Sequence, residues 1–160
     1  MEPKFKNLPE KKVVGLGTKF VSIMFPDNND MTIIPALWGQ FMSQMGSIPN
    51  RVGQACFGVV EHLPGSASEG EMFYIACVEV KNFDSVPKGM IHRTIPAGRF
   101  AVFTHHGKLD KLGQTMEAIY KEWLPKSGMK RRPAADVELY DERFDPHSDR
   151  SEFDIMIPIQ

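Results

Sequence analysis

EMFYIACVEV, residues 71–80, and EFDIMIPI, residues 152–159, decide the fold. Successive strand side chains point to opposite sides, so alternation puts Tyr74, Ala76, Val78 and Val80 on one face of the first. It puts Phe153, Ile155, Ile157 and Ile159 on one face of the second. Each segment therefore reads as a strand whose apolar face lies under a helix. The two stand about 80 residues apart, a spacing that points to an internal duplication.

Working outward from each supports this. QACFGVVE (54–61) precedes the first and is joined to it by the turn-rich LPGSASEG (63–70), a hairpin pattern. Upstream, from Thr32 to Ile48, Ile34, Leu37, Trp38, Phe41, Met45 and Ile48 recur at helical spacing, with Pro35 tolerated in a first turn. Val13–Phe20 reads as a strand before that helix. The second closing strand is preceded by ADVELYDERF (135–144), another strand, with the polar DPHSDRS between them. A helix comes earlier, with Leu112, Met116, Ile119 and Trp123 as its stripe and Pro125 with Gly128 ending it. Before that helix lie the strand-like MIHRTIP (90–96) and GRFAVFTHH (98–106), interrupted at Pro96-Ala97-Gly98.

The order is strand, helix, strand, strand, stated twice. One helix and three strands bury too little apolar surface to stand alone, so the halves share a core. The expectation is a single α+β domain over residues 1–160, with pseudo-repeats at about 10–82 and 88–160. Six or more strands form one antiparallel sheet, with both long helices on the same face.

Composition bounds the function. A length of 160 residues is that of one ordinary domain. With 42% apolar and 24% charged residues the chain is neither disordered nor a membrane protein. Nineteen Lys plus Arg against 20 Asp plus Glu leave a formal charge of −1, so no global field attracts nucleic acid or anionic lipid. The N-terminus, MEPKFKNLPEKK, is polar and not a secretory signal, and no stretch approaches the roughly 20 apolar residues of a span. The expected compartment is the cytoplasm, with no membrane partner. Cys56 and Cys77 are too few for a disulfide scaffold and read as reduced thiols.

Several motifs carry no chemistry. His105 and His106 are strand neighbours that point to opposite faces, so they do not share a metal, and no metal site is expected. Gly15-Leu16-Gly17 lacks the rest of a dinucleotide fingerprint, and no cofactor is expected. Lys130-Arg131-Arg132, before Pro133, reads as a solvated turn.

Taken together, IPALWGQF, FYIACVEV, GMIHRTIPAGRFAVFTHHG, IYKEWLPKSG, ADVELYDERF and SEFDIMIPI resemble the gyrase-inhibitor-like superfamily, nearly end to end. The same fold serves as the effector-binding domain of AraC-type and multidrug-responsive bacterial transcription activators. The resemblance implies two modules about a pseudo-twofold axis, with a central ligand cleft walled by aromatics and holding a buried glutamate. Cys77 stands where relatives often have glycine. With no DNA-reading segment ahead of the fold, the chain reads as a free-standing member.

Parity then nominates residues. Val137 and Leu139 share one strand face, Glu138 and Tyr140 the other; if the aliphatics meet the helices, Glu138 faces the cleft, and the competing reading is an exposed strand glutamate. Glu79 lies opposite Val78 and Val80 and is assigned to the same kind of surface, with Phe73 and Ile75 beside it; the competing readings are a cap on the sheet edge or a pair with a lysine. Trp38 and Phe41 on the first helix, and Tyr120 and Trp123 on the second, either wall the cleft or pack the core. A carboxylate among aromatics suits a lipophilic cation. The leading reading is thus a non-enzymatic binder of bulky hydrophobic, aromatic or cationic small molecules, for sensing or sequestration. The alternatives are a hydrolase of cyclopropane-containing genotoxins using Glu138, Glu79 and Tyr140, or a protein whose partner is gyrase or a transcription regulator.

Overall fold

A computed structural model describes residues 1–63 and 70–160. The strands are β1 (Lys4–Leu8), β2 (Lys11–Val21), β3 (Arg51–His62), β4 (Glu71–Val80), β5 (Ile91–Ile95), β6 (Gly98–His106), β7 (Asp136–Tyr140) and β8 (Glu152–Pro158). Helix α1 (Ile33–Gln44) runs into a 3-10 turn, Met45–Ser47. The second helical rod has three pieces: α2 (Leu112–Glu117), a π-helical segment (Ala118–Trp123) and α3 (Leu124–Ser127). The turn proposed at LPGSASEG lies almost wholly outside the described residues, but its two arms, β3 and β4, pair antiparallel as a hairpin requires.

All eight strands form one antiparallel sheet in the order β1-β6-β8-β7-β3-β4-β2-β5, curled into a half-barrel. The order is symmetric about the β7–β3 junction, with β6-β8-β7 on one side matched by β3-β4-β2 on the other. The leading strands are exchanged: β1 pairs with β6 of the second half, and β5 pairs with β2 of the first. Each half thus closes the other's edge. β1 was not anticipated, because KFKNL is polar and mostly exposed and carries no apolar face to betray a strand.

Helices and sheet meet as the alternation requires. Leu37 and Phe41 of α1 pack on Tyr74, Ala76, Val78 and Val80. Ile119 of the second rod packs on Phe153, Ile155, Ile157 and Ile159. The opposite face is also buried. Phe57, Val59, Ile75, Cys77, Val102 and Val137 belong to a third cluster, made possible because the sheet curls around that face. Ordinary one-sided sheets leave this face wet; here both parities of the central strands are apolar.

Two local readings change. Pro125 does not end the second helix. It sits at the start of the last turn, where its missing N–H is tolerated, and the rod stops at Gly128, whose φ of 71° is left-handed. The Lys130-Arg131-Arg132 run is not a solvated turn either. Arg131 pairs with the buried Asp136, and Arg132 Nε donates to the Ile159 carbonyl at 3.0 Å.

Candidate functional site

A cavity of about 1000 Å³ opens between α1 and the second rod, floored by the central strands. Trp38 and Met42 come from α1, Met116 and Tyr120 from the second rod, and Tyr74 and Glu138 from the sheet. Five carboxylates line it, those of Asp30, Asp136, Glu138, Asp141 and Glu142, while no Lys or Arg of the described residues does. Of these, Asp136 pairs with Arg131 and Asp141 with Arg143. Methionines at 24, 31, 42, 72 and 116 supply unbranched, polarisable walls that adapt to irregular apolar shapes.

Glu138 sits at the centre of the floor. Its Oε1 accepts from the Tyr74 hydroxyl at 2.6 Å and the Tyr140 hydroxyl at 3.1 Å, and Trp38 Nε1 donates to Tyr74 Oη at 3.0 Å. Burial pushes the Glu138 carboxyl above its ordinary value; the two tyrosine hydrogen bonds oppose that rise and nearby Asp136 adds to it. Burial, then the Glu138 charge, hold the Tyr74 and Tyr140 phenols well above theirs, so both remain neutral donors. The Trp38 and Tyr140 rings meet edge to face, with centroids 5.4 Å apart, and Tyr140 stacks on Phe153 at 4.7 Å.

Gly58 makes this arrangement possible. It is the middle of the five β3–β7 pairs, directly across from Glu138, and a Cβ built on it would lie 2.3 Å from both Glu138 Oε1 and Tyr74 Oη. A glycine inside a strand signals close approach of another group, which is the cue the sequence carried.

A second polar cluster stands two residues along β7. Asp136, buried, accepts from the Tyr120 hydroxyl and pairs with the Arg131 guanidinium, and His62 Nε2 lies 3.7 Å away. Burial, then the Asp136 charge, raise the Tyr120 phenol. Tyr120 falls within the π-helical segment, an irregularity often found at functional sites. Nothing in the spacing of Arg131 and Asp136 announced a buried ion pair.

The cleft lies on the helix side of the sheet, and this reverses the parity premise. Val137 and Leu139 turn into the curled interior and Glu138 faces the helices, which is why it meets the cavity. Trp38, Tyr120, Glu138 and Tyr140 line the cavity; Phe41, Phe73, Ile75, Glu79 and Trp123 do not. Phe41 is fully buried behind Trp38. Phe73 and Ile75 belong to the interior cluster, and Glu79, of the same parity, pairs with Lys11 at 3.1 Å. Trp123 packs edge-on against Phe103 in the second core. Glu79 and Glu138 therefore cannot act on one substrate. Cys56 lines the cavity and Cys77 faces the interior, so both are free thiols on opposite sides of the sheet. Burial raises both thiols. His105 is buried on Thr115 Oγ1 at 2.7 Å, and His106 faces Glu152.

The curled sheet, paired helices and apolar, carboxylate-centred cavity define a small-molecule binding domain. The chain belongs to the GyrI-like family: the model of the GyrI-like small molecule binding domain matches residues 1–160. The chain is 33% identical over 128 residues to the transcriptional regulator BrlR of Pseudomonas aeruginosa, covering 79% of this chain and 46% of that protein. It is 29% identical over 107 residues to the probable transcriptional regulator YgiV of Escherichia coli K12, covering 64% and 66%. Among solved structures, SAV2435 bound to tetraphenylphosphonium shares the fold with a TM-score of 0.77 at 18% identity, over 100% of this chain and 94% of that one. The chain thus matches less than half the length of BrlR. Among the described residues, no helix is long and apolar enough to cross a membrane.

Proposed function

We propose that the cavity binds bulky, hydrophobic organic cations, and that the domain senses or sequesters them without chemical turnover. The observation that carries this reading is Glu138: a carboxylate buried among Trp38, Tyr74 and Tyr140 in a largely apolar cavity that no Lys or Arg of the described residues lines. A cation entering there meets a desolvated counter-charge and aromatic faces worth about 0.5–2 kcal/mol each. Tetraphenylphosphonium, the ligand of SAV2435, is of this chemical class. In this reading the domain itself makes no contact with DNA, and occupancy is passed on through protein contacts. The hydrolytic reading built on Glu138, Glu79 and Tyr140 loses Glu79, which lies on the far face of the sheet and pairs with Lys11.

Calorimetry with tetraphenylphosphonium and with neutral triphenylphosphine oxide tests the proposal. One site, and a preference for the cation of about tenfold or more, is expected. Equal affinities, or conversion of the cation to a new mass on incubation, would overturn it.

A further inference from the structure

We infer that Gly58 is a positioning residue for the binding site: by lacking a side chain it gives the Glu138 carboxylate its place at the centre of the cavity. The inference rests on the cation-binding reading for its functional consequence, but its geometry stands alone. The hydrogen bond from Tyr74 Oη to Glu138 Oε1 passes over the Gly58 Cα, and a Cβ there would approach both atoms to 2.3 Å. Backbone conformation does not explain the glycine, because Gly58 is absent from the positive-φ residues. Alanine would fit its φ and ψ and would suit a strand better than glycine. Space is what remains.

The position is also special in the duplication. Gly58 pairs with Ala76 of β4 as Glu138 pairs with Ile155 of β8, and Gly58 pairs with Glu138 itself across the junction of the halves. The two residues therefore occupy equivalent places about the pseudo-twofold axis. One half supplies the charge and the other supplies the room for it.

Gly58→Ala forces the carboxylate off the floor and out of reach of Tyr74, into wetter surroundings. Its titration can be read without ligand in a Trp123→Phe background, where Trp38 is the sole tryptophan and reports through Tyr74 on Glu138. The titratable groups that line the cavity with Glu138 are Tyr74 on β4, Tyr140 and Asp136 on β7, Cys56 and His62 on β3, Tyr120 on the second rod, Asp141 and Glu142 after β7, and Asp30 before α1; α1 itself supplies none. Glu138→Gln assigns the midpoint to Glu138.

The experiment compares wild type, Gly58→Ala, Glu138→Ala and the double variant Gly58→Ala/Glu138→Ala. In Gly58→Ala the preference for tetraphenylphosphonium over triphenylphosphine oxide should fall about tenfold, while affinity for the neutral compound changes within about threefold. The Trp38 midpoint should move down toward an ordinary carboxylate, since burial is the largest cause of its elevation. With Glu138 truncated, adding Gly58→Ala should alter the preference by no more than about twofold. If Gly58→Ala fails to fold while the double variant folds, the clash is with Glu138 and the inference stands. Wild-type preference and midpoint in Gly58→Ala, or failure of both variants to fold, would overturn it. A midpoint shift in a protein whose wild type does not prefer the cation would retain the positioning role and reject the cation-binding reading.

Discussion

Replacing Glu138 by glutamine removes charge and little else. The amide oxygen can accept both hydrogen bonds now made to Oε1, from Tyr74 at 2.6 Å and Tyr140 at 3.1 Å, and side-chain volume is kept. For a bound lipophilic cation, losing a desolvated partner should cost about 2–5 kcal/mol, about thirty-fold to several-thousand-fold in Kd. A neutral ligand of similar shape should change by about threefold at most, because stacking and area are untouched. The ligand-free protein should respond in the opposite sense. The Glu138 carboxyl is raised above its ordinary value of 4.5, so its favourable contribution is complete below that value and is lost as pH rises through the raised one. Above the raised value the wild type carries the cost of a buried charge, and there Glu138→Gln should melt at the same temperature or higher, with the difference vanishing below about pH 4.5. Cation binding follows the same proton. As pH is lowered, affinity should begin to fall while still above the pH where an exposed carboxylate titrates, and then decline by about tenfold per further pH unit. Calorimetry with the phosphonium and phosphine oxide pair, alongside thermal melts across pH, decides the matter. Equal loss for both ligands, or a lower melting temperature above the raised value, would show that Glu138 holds the floor together and does not select charge.

Trp38→Ala should weaken the cationic and the neutral ligand together, by about tenfold, because the indole supplies face and area to both; loss confined to the cation would refute its role as a wall. Phe41→Ala, behind it, should cost about 3–5 kcal/mol in denaturant unfolding, as expected of a fully buried ring; a change below about 1 kcal/mol would mean that α1 is not anchored there. Cys56 and Cys77 should both alkylate after denaturation without reductant, Cys56 being the faster in the native state; a Cys56–Cys77 disulfide by mass would contradict their placement on opposite faces.

The repeat was legible because alternation in residues 71–80 and 152–159 is strong, and both stripes meet the helix that the spacing assigned to them. The exchanged strand β1 was not, since an exposed, charged edge strand leaves no hydrophobic pattern. Parity correctly separated Glu138 and Tyr140 from Val137 and Leu139, and Glu79 from Val78. It could not say which side carried the cleft, because alternation distinguishes faces without naming them, and a half-barrel buries both. The assumption that helices and cleft lie on opposite sides sent Phe73, Ile75 and Glu79 to the wrong surface. Arg131 was read as solvated because an ion pair across a Pro-containing turn has no periodic signature.

The same geometry explains why a duplicated chain carries one central carboxylate and not two. A rung on the pseudo-twofold axis brings equivalent positions face to face, with Cβ atoms about 4.5–5.5 Å apart. Two glutamates there would place like charges at roughly that distance in a buried site, a repulsion of about 3–4 kcal/mol at an effective dielectric of 20. One would hold its proton at neutral pH, and the pair would act as a single charge in twice the volume. Two glycines would leave the centre of the floor without a carboxylate. Gly58 opposite Glu138 keeps a single carboxylate and leaves the space above β3 for the Tyr74 hydroxyl that steadies it. On the proposed reading, breaking the symmetry at this rung gives two packed repeats a cavity with one carboxylate at its centre.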